Sequence, residues 1–303
     1  VGACVQKTSE AEALARAGVT NIFITNEVVD PAKLARVAAL SRQVKLAIAV
    51  DSPLGIERLG AAGADVDVFV EIDVGHARCG AAPHDAASLA HAVQSRGLRF
   101  AGLQAYHGRA QHLRGVAERR AAIEAAGAAV REARAALATA GIACPLVTGA
   151  GSGSFVLEAE SGLWGELQCG SYVFMDRDYA DNAAIPGAPR FEHALFVKSQ
   201  VMSRHADRAI VDAGHKSHAI DSGLPRVWGR DDLEFANGGD EHGILRPRTP
   251  GAPLPALGET VWLIPGHCDP TVNLHDRMIG VRGGLEGGAV ERVIAVDARG
   301  CLS

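Results

Sequence analysis

The 303-residue chain lacks the features that define several special classes of protein. Its cysteines form no CxxC pair, so the sequence shows neither a disulfide framework nor a zinc finger. No run of like charges accompanies the net charge of -5, and no apolar stretch approaches the ~18 residues of a membrane helix. No basic segment followed by an apolar one opens the chain. We therefore expect a cytoplasmic protein that acts on a small molecule, with neither nucleic acid nor a membrane as a partner.

Short apolar runs alternate with Ala-rich segments of helical spacing over the first part of the chain, which predicts parallel βαβ units. Helices are predicted at Thr8–Ala17, Pro31–Ser41, Asp85–Arg96 and Val116–Ala140. A (β/α)8 TIM barrel needs eight strands, and the chain opens inside an apolar run, so we expect its first strand-helix unit to be absent. An open, doubly wound seven-stranded sheet is the alternative. The strand candidates are Val1–Gln6, Asn21–Thr25, Lys45–Val50, Val68–Asp73, Phe100–Tyr106, Pro145–Thr148 and Glu166–Val173.

The pattern changes near residue 188, after the segment Pro186–Pro189. Beyond it, alternating and β-branched runs replace helical spacing, which predicts a mainly antiparallel β domain. We therefore predict a barrel domain over residues 1–188 and a β domain over residues 189–303, with an exposed loop at Arg246–Gly258. The predicted strands of the β domain are Ala194–Met202, Ala209–Asp212, Val261–Ile264, Met278–Val281 and Val293–Val296.

Polar residues follow the ends of the predicted barrel strands, where the active sites of such barrels lie. Asn26 and Asp51 are each also compatible with a helix N-cap. The strand ends carry Gln6-Lys7, Thr25–Glu27, Asp51, Glu71–Arg78 and Gln104–Gly108.

The sixth predicted strand runs into a loop of glycine and serine, the type of loop that brings backbone N–H groups close to an anion. Phosphate sites recur after late strands of this fold, so the loop predicts a phosphate cradle, although such a loop can also serve only as a connection. A second Gly-Ser pair follows the next strand. The residues concerned are Gly151, Ser152, Gly153 and Ser154, and then Gly170, Ser171 and Tyr172.

The segment Pro265–Asn273 contains His267 and Asp269. On an extended backbone these two side chains point to the same side and Cys268 points away. An imidazole and a carboxylate in that arrangement predict a catalytic site for a divalent metal ion, Mn²⁺, Mg²⁺ or Zn²⁺. A His-Asp hydrogen bond in a β-turn is the alternative.

Seven segments together resemble the D-threonine aldolase and D-3-hydroxyaspartate aldolase family, relatives of D-serine dehydratase. The resemblance implies an alanine racemase-like enzyme of fold type III: a barrel that carries pyridoxal 5'-phosphate, a β domain that supplies the metal, and a homodimer. The segments are Gly2–Glu12, Ile24–Glu27, Glu71–Gly75, Gln104–Gly108, Glu166–Tyr172, Asp221–Pro225 and Pro265–Asn273.

The resemblance also implies roles for particular residues. Arg78 matches an arginine near the cofactor ring, and His112 matches a histidine that acts on the substrate β-hydroxyl group. His267 and Asp269 match the metal ligands, and Asp269 replaces the cysteine of the dehydratases, which favours an aldolase. Cofactor-binding positions are matched by Gln6, Tyr106, Gly151, Ser152, Gly153, Ser154, Gly170, Ser171 and Tyr172.

The family's Schiff-base lysine is expected upstream of Val1, so we expect this chain to lack it. Lys7 alone lies near the corresponding rim of the barrel, and the other lysines are Lys33, Lys45, Lys198 and Lys216. The resemblance implies retro-aldol cleavage of D-threonine to glycine and an aldehyde. A D-3-hydroxyaspartate aldolase, a D-serine dehydratase-type β-elimination and a non-catalytic pyridoxal-phosphate-binding protein are the alternatives.

Overall fold

A computed structural model describes residues 2–303, so Val1, the first residue of a predicted strand, lies outside the described residues. The chain divides into two compact units. The first comprises the residues up to Gly170 together with Cys301–Ser303, and the second comprises Ser171–Gly300. Residues 171–188, which the sequence assigned to the barrel domain, therefore belong with the second unit, and a functional boundary at residue 188 stays a prediction.

The first unit contains one parallel sheet of seven strands, which neighbour one another in chain order. This order excludes the doubly wound alternative, because a doubly wound sheet reverses its strand order at a switch point. Parallel strands that neighbour one another in chain order are the arrangement of a βα barrel. Its strands are β1 (Ala3–Val5), β2 (Asn21–Glu27), β3 (Lys45–Val50), β4 (Asp67–Glu71), β5 (Arg99–Ala105), β6 (Leu146–Gly149) and β7 (Glu166–Leu167).

The helices between these strands begin where the sequence provides a cap. The Asp30 carboxylate accepts the N–H of Lys33, and the Ser52 hydroxyl accepts the N–H of Gly55, each just before a proline in the first helical turn. The four predicted helices are confirmed to within two residues at each end. The helices are α1 (Thr8–Arg16), α2 (Pro31–Leu40), α3 (Pro53–Ala61), α4 (Ala86–Ser95), α5 (Val116–Thr139) and α6 (Phe155–Ser161).

An apolar layer lies on one face of the parallel sheet. Phe23 of β2, Ala49 of β3 and Phe69 of β4 are buried together, and the two phenyl ring centroids are 4.6 Å apart. Because alternate residues of a strand share a face, Glu71 lies on the same face as Phe69, toward the carboxyl end of β4. The apolar layer therefore lies below the polar strand ends.

The second unit contains a six-stranded sheet whose paired strands are antiparallel, in the order β10-β13-β8-β9-β12-β11, and a separate hairpin. Val201, Leu233, Phe235, Leu245 and Leu263 lie in its buried core. The predicted loop at 246–258 is wrong at its first two residues, which pair with β11. The strands are β8 (Val197–Arg204), β9 (Ala209–Val211), β10 (Arg226–Val227), β11 (Leu233–Asn237), β12 (Gly243–Pro247), β13 (Thr260–Ile264), β14 (Arg277–Arg282) and β15 (Ala289–Ala295).

Two short helices complete this unit, α7 (Arg177–Ala180) and α8 (Cys268–Asn273). Within the described chain, no helix combines the length and the apolar character that a membrane span requires.

Candidate active site

The polar ends of β1 and β2 are hydrogen-bonded to each other. The Gln6 side-chain amide donates to the Thr25 hydroxyl at 2.6 Å, and the Asn26 amide donates to the Gln6 carbonyl at 3.0 Å. The N-cap interpretation of Asn26 is therefore wrong, because Asp30 takes that place at α2. It is also wrong for Asp51, because Ser52 caps α3 and Asp51 accepts the N–H of Gly80 at 3.2 Å.

The loop after β4 is held by Asp73, whose carboxylate accepts the N–H groups of Gly75 at 2.9 Å and Ala77 at 3.1 Å. Burial would raise the pKa of Asp73, but these backbone N–H groups outweigh it and hold the pKa below its ordinary value. Gly75 and Ala77 both have left-handed backbone conformations, with φ of 110° and 56°. The loop thus has one defined conformation, which presents His76 and Arg78.

Arg78 and Tyr106 come together at the carboxyl edge of the parallel sheet. The Arg78 guanidinium carbon lies 5.6 Å from the centroid of the Tyr106 ring. Burial raises the pKa of the Tyr106 phenol, and the Arg78 charge opposes this shift. The sequence predicted both residues, and the structure makes them neighbours.

A third ring lies beside this pair. The His76 ring is 6.2 Å from Tyr106, edge to face, and 6.4 Å from the His107 ring, to which it is stacked. The Gly108 N–H donates to His76 Nδ1 at 3.2 Å, so a neutral His76 carries its proton on Nε2. Burial lowers the pKa of His76, and the Arg78 charge lowers it further. His76 was not singled out from the sequence, and it lies beside two predicted site residues, Arg78 and Tyr106.

The predicted proton acceptor, His112, ends the 3₁₀ turn Gly108–His112 that follows β5. Its side chain is exposed. The residue before it, Gln111, is fully buried. The same short turn therefore buries the side chain of Gln111 and exposes that of His112.

The Gly/Ser loop packs on Gln111. The Gly153 N–H donates to Gln111 Oε1 at 3.0 Å, and Gln111 Nε2 donates to the Ser154 hydroxyl at 2.6 Å. A Cβ at Gly151 would lie 2.6 Å from Gln111 Oε1, and one at Gly153 would lie 2.5 Å from the Gln111 carbonyl. Glycine is required at positions 151 and 153 because Gln111 occupies the space where a Cβ atom would lie. Sequence reasoning missed Gln111, since it lies 42 residues from Gly153 in the chain.

Ser154 supports this loop from within. It is 1% exposed, and its hydroxyl donates to Glu158 Oε1 at 2.8 Å. Burial raises the pKa of Glu158 to about 7. Ser152 and Gly153 are half-buried, so they are the part of the loop that an anion could reach, whereas the Ser154 hydroxyl is buried. The Arg78–Tyr106 pair offers a cation and an aromatic ring to a planar ligand.

A network of side-chain hydrogen bonds links β5, β6 and β7. Gln104 and Gln168 exchange hydrogen bonds of 3.1 and 2.9 Å, and Gln168 also donates to the Thr148 hydroxyl at 2.9 Å. Thr148 donates in turn to Glu166 at 3.1 Å. This network fixes the strand that leads to Gly170, the last residue of this stretch of the first unit.

The other predicted site residues lie in the second unit. Ser171 begins the 3₁₀ turn Ser171–Val173. The Tyr172 ring is exposed, and its centroid is 5.1 Å from that of Phe191.

The extended backbone predicted for His267–Asp269 is wrong. His267 is the N-cap of α8, and Asp269 lies in the first turn of the helix. The helix forms because the Cys268 N–H is bound by the buried Asp176 carboxylate at 2.8 Å and the Thr271 hydroxyl donates to the His267 carbonyl at 2.6 Å. A proline at position 270 is compatible with a first helical turn. Asp269 is exposed.

His267 has an acidic partner that the sequence did not reveal. Asp221 Oδ2 lies 2.7 Å from His267 Nδ1. Burial would raise the pKa of Asp221, but the hydrogen bond and charge of His267 outweigh it and lower the pKa. A carboxylate on Nδ1 fixes the tautomer that leaves Nε2 available as a metal ligand. Residues 2–303 contain no group of three or more His, Cys, Asp or Glu side chains arranged to hold a metal ion, so a metal site at His267 and Asp269 stays a prediction.

Comparisons with known proteins identify relatives over nearly the whole chain. Two family profiles match, the N-terminal domain of alanine racemase over residues 1–178 and a putative serine dehydratase domain over residues 194–281. The chain is 45% identical to a D-threonine aldolase from Arthrobacter sp, over 99% of this chain and 79% of that protein. It is 43% identical, over the same shares, to a 3-hydroxy-D-aspartate aldolase from Paracoccus denitrificans (strain Pd 1222).

A solved structure agrees with these matches. The crystal structure of D-threonine aldolase from Filomicrobium marinum superimposes with a TM-score of 0.95 at 47% identity, over 100% of this chain and 83% of that one. The predicted alanine racemase-like fold, with its C-terminal antiparallel β domain, is confirmed.

Proposed function

The chain belongs to the family of D-threonine aldolases and 3-hydroxy-D-aspartate aldolases, and from this we propose that it cleaves D-threonine to glycine and acetaldehyde with pyridoxal phosphate and a divalent metal ion. Membership supports the coarser statement, a lyase that acts on a D-β-hydroxy-α-amino acid. The observation that carries the finer proposal is the Asp221–His267 pair beside Asp269. In the proposal His267 and Asp269 would bind the metal ion, and the family's dehydratases have cysteine at the position of Asp269.

The cofactor residues divide into two groups. Arg78 and Tyr106 would hold the ring, and Gln6 lies at the same edge of the sheet. The turn at Gly151–Gly153 would hold the phosphate, with Ser154 supporting it, and from the family resemblance we propose the same role for Gly170, Ser171 and Tyr172. When bound, pyridoxal phosphate supplies an electron sink for breaking the Cα–Cβ bond, and the metal ion supplies a Lewis acid for the β-hydroxyl group.

Residues of this chain would accept the proton of the substrate β-hydroxyl group and bind the metal ion. The exposed imidazole of His112 would accept the proton of the β-hydroxyl group, since a neutral histidine ring nitrogen is a competent base near pH 7. His267 Nε2 and the Asp269 carboxylate would bind the metal, while Asp221 keeps the imidazole oriented through Nδ1. The Tyr106 ring, whose centroid lies 5.6 Å from the Arg78 guanidinium carbon, would hold that guanidinium at the cofactor ring.

The reaction products decide the proposal. The purified protein, given pyridoxal phosphate and Mn²⁺, is incubated in turn with D-threonine, D-3-hydroxyaspartate and D-serine. Glycine and acetaldehyde from D-threonine support the proposal, and glycine and glyoxylate from D-3-hydroxyaspartate alone would change the substrate. Pyruvate and ammonia from D-serine would indicate β-elimination, and cofactor binding without turnover would indicate a non-catalytic binding protein.

A borohydride experiment tests the Schiff base separately. The absorbance of the cofactor is recorded before and after reduction, and the labelled peptide is identified by mass spectrometry. We expect none of the five lysines of this sequence to be labelled. Labelling of Lys7, which follows the carboxyl end of β1, would show that this residue takes the role.

A further inference from the structure

Two carboxyl groups face each other at the carboxyl end of the parallel sheet. Glu27 is the last residue of β2 and Glu71 is the last residue of β4. In parallel barrels, inward-pointing side chains from alternate strands form common layers, and these two carboxyl groups are close enough to hydrogen-bond to each other. Neither residue has a role in the function proposed above.

The pair is largely buried. Glu71 is 4% exposed, and both side-chain oxygens of Glu27 are buried although the residue as a whole is half-buried. The donors that reach Glu27 are its own backbone N–H and the Cys79 thiol, which is a weak donor. Two negative charges with so few donors would be strongly disfavoured at this depth.

The surrounding groups do not neutralise two negative charges. Arg78 is the cation that acts on Glu71, and the Asp51 carboxylate at the end of β3 adds negative charge. The Cys79 thiol lies beside Glu27 and is a neutral group, because burial and Glu27 raise its pKa to about 11. No metal-binding group of three or more side chains includes them within residues 2–303.

A shared proton resolves the contact. One protonated carboxyl group can donate to the other, which turns a repulsive pair into a hydrogen bond, and such pairs titrate as a unit. Burial and then the charge of Glu27 raise the pKa of Glu71 to about 8, and burial raises the pKa of Glu27 as well, so the pair holds a proton at neutral pH.

We propose that Glu27 and Glu71 share one proton at neutral pH and so place a carboxyl pair with a single negative charge beside Arg78. This balances the one positive charge that Arg78 brings to the Tyr106 ring. Loss of the shared proton adds a negative charge next to the site for a phosphate-bearing cofactor. Glu71 is thereby a positioning residue for Arg78, and this consequence, unlike the shared proton, rests on the proposed function.

Infrared difference spectroscopy tests the shared proton without cofactor or substrate. Spectra of the wild type and of Glu71→Gln are compared from about pH 6 to about pH 10, around the titration of Glu71. We expect a protonated-carboxyl C=O band in the wild type that disappears near pH 8 and is missing from Glu71→Gln. Glu57→Gln, an exposed residue of α3, is the matched control. Glu158 contributes a band of its own, which cancels in the difference.

Glu27→Gln provides a second variant. It removes the neighbouring charge but leaves Glu71 buried, so the band should persist and disappear at a lower pH than in the wild type. A wild-type spectrum with no Glu71-dependent band at neutral pH overturns the proposal. A band whose titration is unchanged in Glu27→Gln also overturns it, because the proton would then not be shared.

Cofactor affinity tests the effect on Arg78. The dissociation constant of pyridoxal phosphate is measured by absorbance below and above the titration of the pair. We expect affinity to fall about tenfold in the wild type and to change little in Glu71→Gln. Equal falls in both proteins overturn the positioning role. A wild type that binds no cofactor at either pH contradicts the proposed function, while the infrared result alone decides the shared proton.

Discussion

Replacement of Asp221 by asparagine should weaken metal binding at His267. The Asp221 carboxylate lies 2.7 Å from His267 Nδ1 and holds the ring with Nε2 as the remaining donor atom. Asparagine keeps the size of the side chain but removes its charge. It therefore weakens the hydrogen bond that orients the imidazole and makes the ring a poorer ligand.

The expected loss is about tenfold in metal affinity, about 1.4 kcal/mol. Partners of metal-bound histidines contribute about 10- to 100-fold. The lower end applies here because the Asp221 side chain is 51% exposed, so water screens its charge, although His267 is only 20% exposed. Ser222 is the matched control, since its hydroxyl lies 3.4 Å from the same nitrogen and should contribute less than about twofold when replaced by alanine.

The assay is calorimetric titration of the chelator-treated protein with Mn²⁺ at neutral pH. The two variants and the wild type are compared after circular dichroism has shown the same secondary structure. If Asp221→Asn binds Mn²⁺ within twofold of the wild type, or no more weakly than Ser222→Ala, then the Asp221 carboxylate does not prepare His267 to bind a metal ion.

Three further outcomes follow from the structure. Gly102→Ala should lower the free energy of unfolding by about 3 kcal/mol or more in urea titration, because φ is +146° and the new Cβ would lie 1.9 Å from the Leu146 carbonyl oxygen. Gly97→Ala is the control: φ is +73° but no atom lies near the new Cβ, so it should lower the free energy of unfolding by about 1 kcal/mol, and equal losses in the two variants would contradict this prediction. Burial raises the pKa of Glu158 to about 7, so the folded state binds a proton that the unfolded chain releases, and this residue should make stability fall from about pH 4.5 to about pH 7. Glu158→Gln should reduce this fall in urea titrations and leave the contribution of Glu71, whereas an unchanged fall would exclude Glu158 as a source. Chelation should abolish D-threonine cleavage and Mn²⁺ should restore it in the wild type but not in His267→Ala; cleavage that survives chelation would argue against a metal-dependent reaction.

The order of strands and helices in the barrel could be predicted because it depends on local periodicity. The apolar run Lys45–Val50 and the helical spacing of Val116–Ala140 give nearly the observed elements. The polar strand ends, such as Thr25 and Tyr106, could also be predicted, because parallel strands in successive βαβ units place their carboxyl ends at one edge. The family could be identified from seven segments of the sequence, and the comparisons confirm it.

Other features depend on contacts between distant residues, which periodicity does not encode. From the sequence we predicted an extended segment at His267–Asp269. In the structure a helix begins there, and the carboxylate of Asp176, 92 residues before Cys268 in the chain, accepts the N–H of its first residue, Cys268. In the sequence, Glu27 and Glu71 are the ends of two separate strands, and only the folded sheet brings their carboxyl groups together.

Local patterns and motifs were enough to predict the fold class and the family from the sequence. The atoms that come into contact depend on tertiary packing. Asp221 lies beside His267 although 46 residues separate them in the chain, and Gln111 occupies the space that the glycines of the Gly/Ser loop leave open. Such contacts depend on how loops and strands pack, and that packing is set by the whole chain rather than by any one segment.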